Sequence, residues 1–487
     1  MKELDLPPYA PLLMESTRAL GYSLEAAIAD ILDNSITARA TKISIQFLSY
    51  ESPYLSILDN GQGMSPEEIT SAMRYGSKNP TDTRGENDLG RFGLGLKTAS
   101  LSQCRKLTVI SLKKGVISGR CWDLDHVIKT GKWSLLVLDD EELVDYPDFQ
   151  ALLKQKSGTL VILQSLDRVG NGESKFSTAF SEKMIRVREH LSLVFHRYLS
   201  GEFGLKKIKM DINNEPLVPH DPFLSTKSTQ VMDDEIINID NHIIKVRSFS
   251  LPHISKLSHN ELALLGGKDG LSKQQGFYVY RNKRLLIWGT WFRLMRQDEL
   301  SKLARVQVDI PNSLDHLWSI DIRKSTASPP EIVRKNLSRI VGRIAERSKK
   351  TWTFRGRKET DTSLITLWSR VETRDGIHYD VNRNHPLLNL LKQRMSADNN
   401  KYLEHFMKLI EENLPLNALY TDLANDEKFA NEQETGLTQD IKEMAELLFE
   451  DCKSSEERER FFEKVKIAPP FSLYAEELIN HLKGRAV

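Results

Sequence analysis

The sequence predicts an α+β protein: a mixed sheet with helices on one face, then a second α+β domain, then a mostly helical C-terminal region. Three observations carry this. The chain has 487 residues, more than one core usually holds, so two or three domains are expected. A helix-period pattern at 24–38 runs straight into two alternating, strand-like stretches at 42–47 and 54–58. Further strand-like runs at 106–112 and 158–163 precede a long helical pattern and a second group of strands.

Taken in order, Leu24, Ile28, Ile31, Leu32 and Ile36 recur at helical spacing and leave Asp30, Asp33, Asn34 and Thr37 on the opposite face. The stretch 77–89 is polar and aperiodic, the composition of a long loop, and a helix-forming run begins near Leu96. A helical pattern at 176–199 leads to strand-like runs at 207–212, 236–249, 276–287 and 304–310. Pro329-Pro330 then introduces a helical pattern at 331–350. These boundaries predict domains at 1–205, 206–355 and 356–487, with no internal repeat.

The balance of 68 basic against 67 acidic residues, a net charge of +1, supplies no global field toward nucleic acid or anionic lipid. Cys104, Cys121 and Cys452 are far apart and form no C-x-x-C pair, which argues against a disulfide framework or a cysteine zinc site. No stretch reaches the ~20 apolar residues that span a bilayer. A soluble protein of the reducing cytoplasm is expected.

Three motifs fall close together: Asp30-Ile-Leu-Asp33-Asn34-Ser35, Asp59-Asn60-Gly61-Gln62-Gly63-Met64, and Gly90-Arg91-Phe92-Gly93-Leu94-Gly95-Leu96-Lys97-Thr98. Asp30 and Asn34 lie four apart on one helical face; an amide oxygen is a natural magnesium ligand, and a carboxylate beside it can take a proton from an attacking water. The alternative for that helix is a merely solvated polar face. Asp59 ends a strand, where a buried carboxylate can accept the amine of adenine, with glycines behind it; an ordinary Asp-Asn-Gly turn has the same pattern. The glycines before Leu96 expose backbone N–H groups at a helix start and suit phosphate, with Lys97 adding a charge, although the spacing is neither that of a P-loop nor that of a dinucleotide fold. Order and spacing together describe a magnesium nucleotide site.

With Gly158-Thr159 downstream, these motifs resemble the boxes of the ATPases shared by gyrase B, Hsp90, histidine kinases and MutL, over about residues 10 to 200. The resemblance implies a Bergerat-type α/β sandwich that binds ATP and Mg2+. It implies Asn34 as the magnesium ligand, Asp59 as the adenine reader, Gly61 and Gly63 as the glycines beneath the base, and Met64 as a further nucleotide-binding residue. It further implies Gly93, Gly95 and Lys97 as phosphate ligands in the lid, Ser77, Lys78, Leu94, Leu96 and Thr98 as further nucleotide-binding residues, and Thr159 near adenine. Asp30 takes the place of the catalytic base, usually Glu in these relatives, with Asp33 as a rival; the shorter side chain implies slow hydrolysis. An Asp30→Asn variant is expected to bind ATP and to stop phosphate release.

The second α+β region is similar to the transducer (S5-like) domain of the MutL, gyrase and MORC branch, which implies a lysine reaching the terminal phosphate. Lys324 is the candidate and Lys283 its rival, while the cluster Arg281 to Arg284 is read alternatively as a DNA-phosphate contact. About 20 residues precede the first motif, too few for the phospho-acceptor hairpin of a sensor histidine kinase. Tyr75-Gly76-Ser77-Lys78 and Gly95 to Ser100 look most like MORC proteins and their prokaryotic relatives, which often belong to restriction or phage-defence systems, an association and not a mechanism. The MutL endonuclease motif is absent from the C-terminal region. The resemblance thus implies an ATP-gated clamp that forms a homodimer, exchanges the segment before Tyr22, and acts on DNA or with DNA-processing partners. An Hsp90-like chaperone and the ATPase subunit of a type II topoisomerase are the alternatives. His378, His385 and His405 are too irregularly spaced for a metal site, and 356–487 is assigned no role beyond partner binding or dimerisation.

Overall fold

A computed structural model describes the chain except residues 1, 2, 4, 5, 7, 20, 77–94, 171–174, 203, 231–233, 240, 241, 268, 269, 298–300, 315–317, 319–328, 354–365, 374, 375, 416–418, 420–436, 451, 453, 468–470, 486 and 487. It divides into two units, Met1–Thr353 and Phe354–Val487.

In the first unit α1 (Ala10–Arg18) and α2 (Leu24–Thr37) precede the antiparallel strands β1 (Lys42–Leu48) and β2 (Tyr54–Asp59). Then come α3 (Pro66–Met73), α4 (Gly95–Leu101), β3 (Lys106–Lys113), β4 (Val116–Asp123), α5 (Leu124–Thr130), β5 (Leu136–Leu138), α6 (Asp140–Leu143), α7 (Phe149–Leu153) and β6 (Gly158–Gln164). Helices α8 (Phe176–Val194) and α9 (His196–Ser200) lead to β7 (Lys209–Ile212) and β8 (Glu215–Pro216). The strands form one eight-stranded sheet in the order β5-β4-β3-β6-β2-β1-β7-β8, antiparallel except for the parallel pair β1 and β7.

Alternation along the strands sorts residues to two faces. Ile43, Ile57, Val109 and Val161 pack with Ile28, Ile31 and Leu32 of α2 and with Phe180, Val187 and Leu191 of α8. Leu58, Ile110, Leu112, Leu160 and Ile162 face the other way and are met by Leu143 of α6 and by Phe149 and Leu152 of α7. The helices were expected on one face; two short ones cover part of the second, because both faces of the central strands are apolar. The run at 207–212, expected to open the second strand group, instead extends the first sheet as β7.

The second sheet contains β9 (Thr229–Gln230), β10 (Glu235–Ile239), β11 (His242–Ser250), β12 (Gly276–Arg281), β13 (Arg284–Thr290) and β14 (Ala304–Ile310), with α10 (His259–Gly266) between β11 and β12. Its order is β10-β11-β14-β12-β13, with β9 beside β11. The runs read as single strands at 236–249 and 276–287 are two hairpins, β10 with β11 and β12 with β13. One face packs Ile244, Val246, Val279, Val306 and Val308 against Val333, Leu337 and Ile340 of α11 (Glu331–Thr353). The other face, with Phe223, Tyr278, Tyr280 and Leu285, lies toward Leu193 of α8.

The second unit pairs strands Trp368–Thr373 and Gly376–Val381 and contains helices Pro386–Arg394, Ala397–Glu412, Gln439–Glu450, Ser455–Ile467 and Ala475–Arg485. Its core is Ala445, Phe449, Phe461, Val465, Phe471, Leu478 and Leu482. Arg383 ties the strand pair to a helix through Glu404 and Glu411. No helix among the described residues is long and apolar enough to cross a membrane.

Candidate nucleotide site

Helix α2 starts at Ser23, whose side chain accepts from the backbone N–H of Ala26 as an N-cap should. Its apolar stripe faces the sheet, but the opposite face is not the solvated one its composition suggests. Asp30 and Asp33 are buried, while Asn34 and Thr37 are exposed. The Asn34 amide donates to the Asp30 carbonyl oxygen at 3.3 Å. Its side-chain oxygen, the atom a magnesium ion would take, accepts no hydrogen bond among the described residues, so this position fits a magnesium ligand.

The two buried aspartates share a partner that comes from far away in sequence. Asp30 Oδ2 accepts from the Tyr22 hydroxyl at 3.2 Å, and Asp30 Oδ1 from Arg284 Nη2 at 3.3 Å. Arg284 Nε donates to Asp33 Oδ1 at 2.9 Å. One guanidinium therefore bridges two carboxylates a helical turn apart, and it reaches them from β13 of the second sheet. Arg284 is itself 5 % exposed and stands over the Phe195 ring, 5.8 Å from its centroid. Arg281 is buried as well, so neither arginine of the Arg281 to Arg284 cluster offers a surface to DNA phosphate; Asn282 and Lys283 between them are partly exposed, with the Lys283 ammonium 3.9 Å from Asp309. Asn282 and Lys283 both have positive φ, 47° and 67°, as a two-residue hairpin turn requires, and the Tyr198 hydroxyl on α9 donates to the Asn282 carbonyl.

At the end of β2, Asp59 is 4 % exposed. Its Oδ2 accepts from the Ser35 hydroxyl of α2 at 2.8 Å and its Oδ1 from the Gly61 N–H at 2.8 Å. Burial raises its pKa above the usual 3.8, and the Gly61, Ser35 and Thr159 hydrogen bonds oppose that rise. Strand register places Asp59 beside Thr159 on β6, and Thr159 beside Ser111 on β3, so the three form a row across neighbouring strands on the helix-covered face. The Ser111 and Thr159 hydroxyls are 3.1 Å apart, and Ser111 Oγ accepts from the Met64 N–H at 2.8 Å. Ser111 escaped the sequence reading, because only three-strand register brings it here; its sequence signal, a hydroxyl within an apolar strand, is weak.

The glycines in this row are required by the chain's own packing. A Cβ at Gly61 would lie 2.8 Å from the Ala38 carbonyl oxygen and 2.9 Å from Asp59 Oδ1. Gly63 has φ +65°, and a Cβ there would meet the Leu112 carbonyl oxygen at 2.1 Å. Their absence of side chains lets the turn after β2 close onto β3 and α2.

Of the remaining expected ligands, Gly95, Leu96, Lys97 and Thr98 lie in α4, packed beside α2. Lys97 is 1 % exposed and its ammonium donates to the Ala72 carbonyl oxygen at 2.8 Å. Ser77, Lys78, Gly93, Leu94 and Lys324 lie outside the described residues. The segment before Tyr22 is anchored to its own chain in this structure: Arg18 of α1 donates to both Asp167 oxygens at 2.6 and 2.7 Å and to the Leu101 carbonyl at 2.7 Å. Among the described residues no group of three or more histidine, cysteine and carboxylate side chains could hold a metal ion.

A buried carboxylate closing a strand, a polar row beside it and a polar helix end above it make a candidate nucleotide site on an α/β sandwich. Comparison with protein families agrees: residues 22–159 match the family described as "Histidine kinase-, DNA gyrase B-, and HSP90-like ATPase". The match begins at Tyr22, which touches Asp30, and ends at Thr159, the neighbour of Asp59. It supports an ATP-binding domain of this superfamily, with ATP binding as its general function. No curated protein gives a significant match.

Proposed function

We propose that the chain is an ATP-hydrolysing switch of the MORC and MutL kind, a clamp that pairs with a second copy in its ATP state and acts on DNA or with DNA-processing partners. One observation carries the reading. Helix α2 is shared: Ser35 bonds to Asp59 of the first sheet, and Asp30 and Asp33 bond to Arg284 of the second. A ligand that settles between Asp59 and the end of α2 therefore acts on an element the second sheet also holds, which is what a switch needs.

In this reading Asp59 receives the adenine amine, Asn34 takes the magnesium ion, and Asp30 accepts the proton of the attacking water. The bound Mg2+ would offset charge on the phosphates. Gly95, Leu96, Lys97 and Thr98, with Ser77, Lys78, Gly93 and Leu94, are assigned to the phosphates and the lid, and Lys324 to the terminal phosphate. A place in phage defence extends the same reading and rests on the resemblance to prokaryotic MORC relatives.

The test is the particle mass of the full chain in solution with and without a non-hydrolysable ATP analogue, together with phosphate release over a range of salt with and without duplex DNA. The expected result is a doubled mass with the analogue, and DNA stimulation that fades steeply with salt. An unchanged mass removes gated pairing, and salt-independent or absent stimulation removes the DNA partner.

A further inference from the structure

Arg284 occupies a place that neither the motif pattern nor the family match assigns. It lies outside the matched residues 22–159, on the second sheet, yet its guanidinium is buried against the two aspartates of α2. An aspartate has only two side-chain torsions and a short reach, so the position of its carboxylate is set by its helix and by its hydrogen-bond partners. For Asp30 the described partners hold both oxygens, Tyr22 on Oδ2 and Arg284 on Oδ1. Arg284 is in turn held by Asp33 through Nε, the shorter contact at 2.9 Å, and by packing on Phe195. Two buried carboxylates three residues apart repel each other, and a guanidinium between them offsets that repulsion while its planar fork fixes their mutual placement.

We propose that Arg284 is a positioning residue for hydrolysis: by bridging Asp33 and Asp30 from β13 it sets where the Asp30 carboxylate stands, and so makes the hydrolytic step depend on the second sheet. The proposal rests on the reading of Asp30 as the base. The β12 and β13 hairpin suits the role, because its turn is itself fixed to α9 by the Tyr198 hydroxyl, so the arginine is presented from a braced element. A lysine keeps the charge but, as a single point donor on a flexible stem, loses the two-armed geometry.

The test compares ATP affinity, phosphate release and thermal midpoint for the full chain and for Arg284→Lys, Asp33→Asn and Asp30→Asn. Arg284→Lys is expected to bind ATP within about twofold of the parent while its turnover falls roughly 10- to 100-fold, the scale of a misplaced catalytic group. Asp33→Asn, which removes the other end of the bridge without touching Arg284, is expected to show the same separation of turnover from affinity. Either variant, folded and turning over at the parent rate, overturns the inference; a loss of affinity equal to the loss of turnover also overturns it, because that reports a structural role only. Asp30→Asn decides the other question: parental turnover in that variant refutes Asp30 as the base, whereas a dead Asp30→Asn beside a fully active Arg284→Lys refutes the positioning role alone.

Discussion

Asp59 meets two opposing demands. Burial disfavours its charge and raises its pKa, while the Gly61, Ser35 and Thr159 donors favour the ionised form that an adenine amine would need. The sign of the linkage follows: a carboxyl whose folded pKa is raised stabilises the fold below its unfolded value and loses that contribution as pH rises through the folded value. At neutral pH Asp59 therefore weakens the fold it serves. Asp59→Asn is expected to raise ATP Kd by about tenfold or more, the scale of one hydrogen bond to a charged group, while leaving the thermal midpoint equal or higher. Calorimetric titration and a melting curve check the pair; a joint loss of stability and affinity would make Asp59 a structural residue. Acidification is expected to weaken ATP binding above the ordinary aspartate range, and the Asn variant to lose that dependence. Asp59 was legible in the sequence because a strand end followed by Asn-Gly is a local pattern. The Arg284 bridge was not, since its partners stand 251 and 254 positions away in the chain.

At the scale of elements, the seam between helices α8 and α9 and the second sheet contains histidines kept neutral. His196, with Nε2 2.8 Å from the Tyr280 hydroxyl, is lowered to about 4, chiefly by burial. His190 is lowered to about 3 by burial and then by Arg284, and His220 to about 4 by burial and then by Arg305. For a depressed histidine the stabilisation is whole above its unfolded value near 6.5 and is lost as pH falls toward the folded value. One pH unit below 6.5 the buried His196 costs about 1.4 kcal/mol, with less from His190 and His220, which are partly exposed. Hydrogen exchange at pH 5.5 against pH 7.5 is expected to show β12 and α9 losing protection before β3 and β6; equal loss throughout would contradict a weak seam. The helices and strands around the site were legible because their apolar periods are local. The hairpin of β12 and β13 was not, because its turn, Asn282-Lys283, has no glycine to mark it. Strand β7 was misplaced for a related reason: its parallel pairing with β1 depends on a partner more than 160 residues earlier, as in the pair Lys42 with Lys209.

For the whole molecule, the second sheet meets the first domain through α2, by way of Arg284, and through α8 and α9. The Arg284 ion bridge is one buried contact of this seam, and breaking a buried pair by removing one partner costs about 3–5 kcal/mol. Arg284→Met is expected to lower the thermal midpoint of the unit Met1–Thr353 and leave the unit Phe354–Val487 melting as before. Parallel loss in both units, seen by exchange along the chain, would show that they unfold together. The most direct measurement of the central claim is hydrogen exchange of the full chain with and without a magnesium ATP analogue. Slowed exchange both at α2 with β6 and at the β12 and β13 hairpin is the result this account predicts. Protection confined to residues 22–159, with the hairpin unchanged, would contradict it.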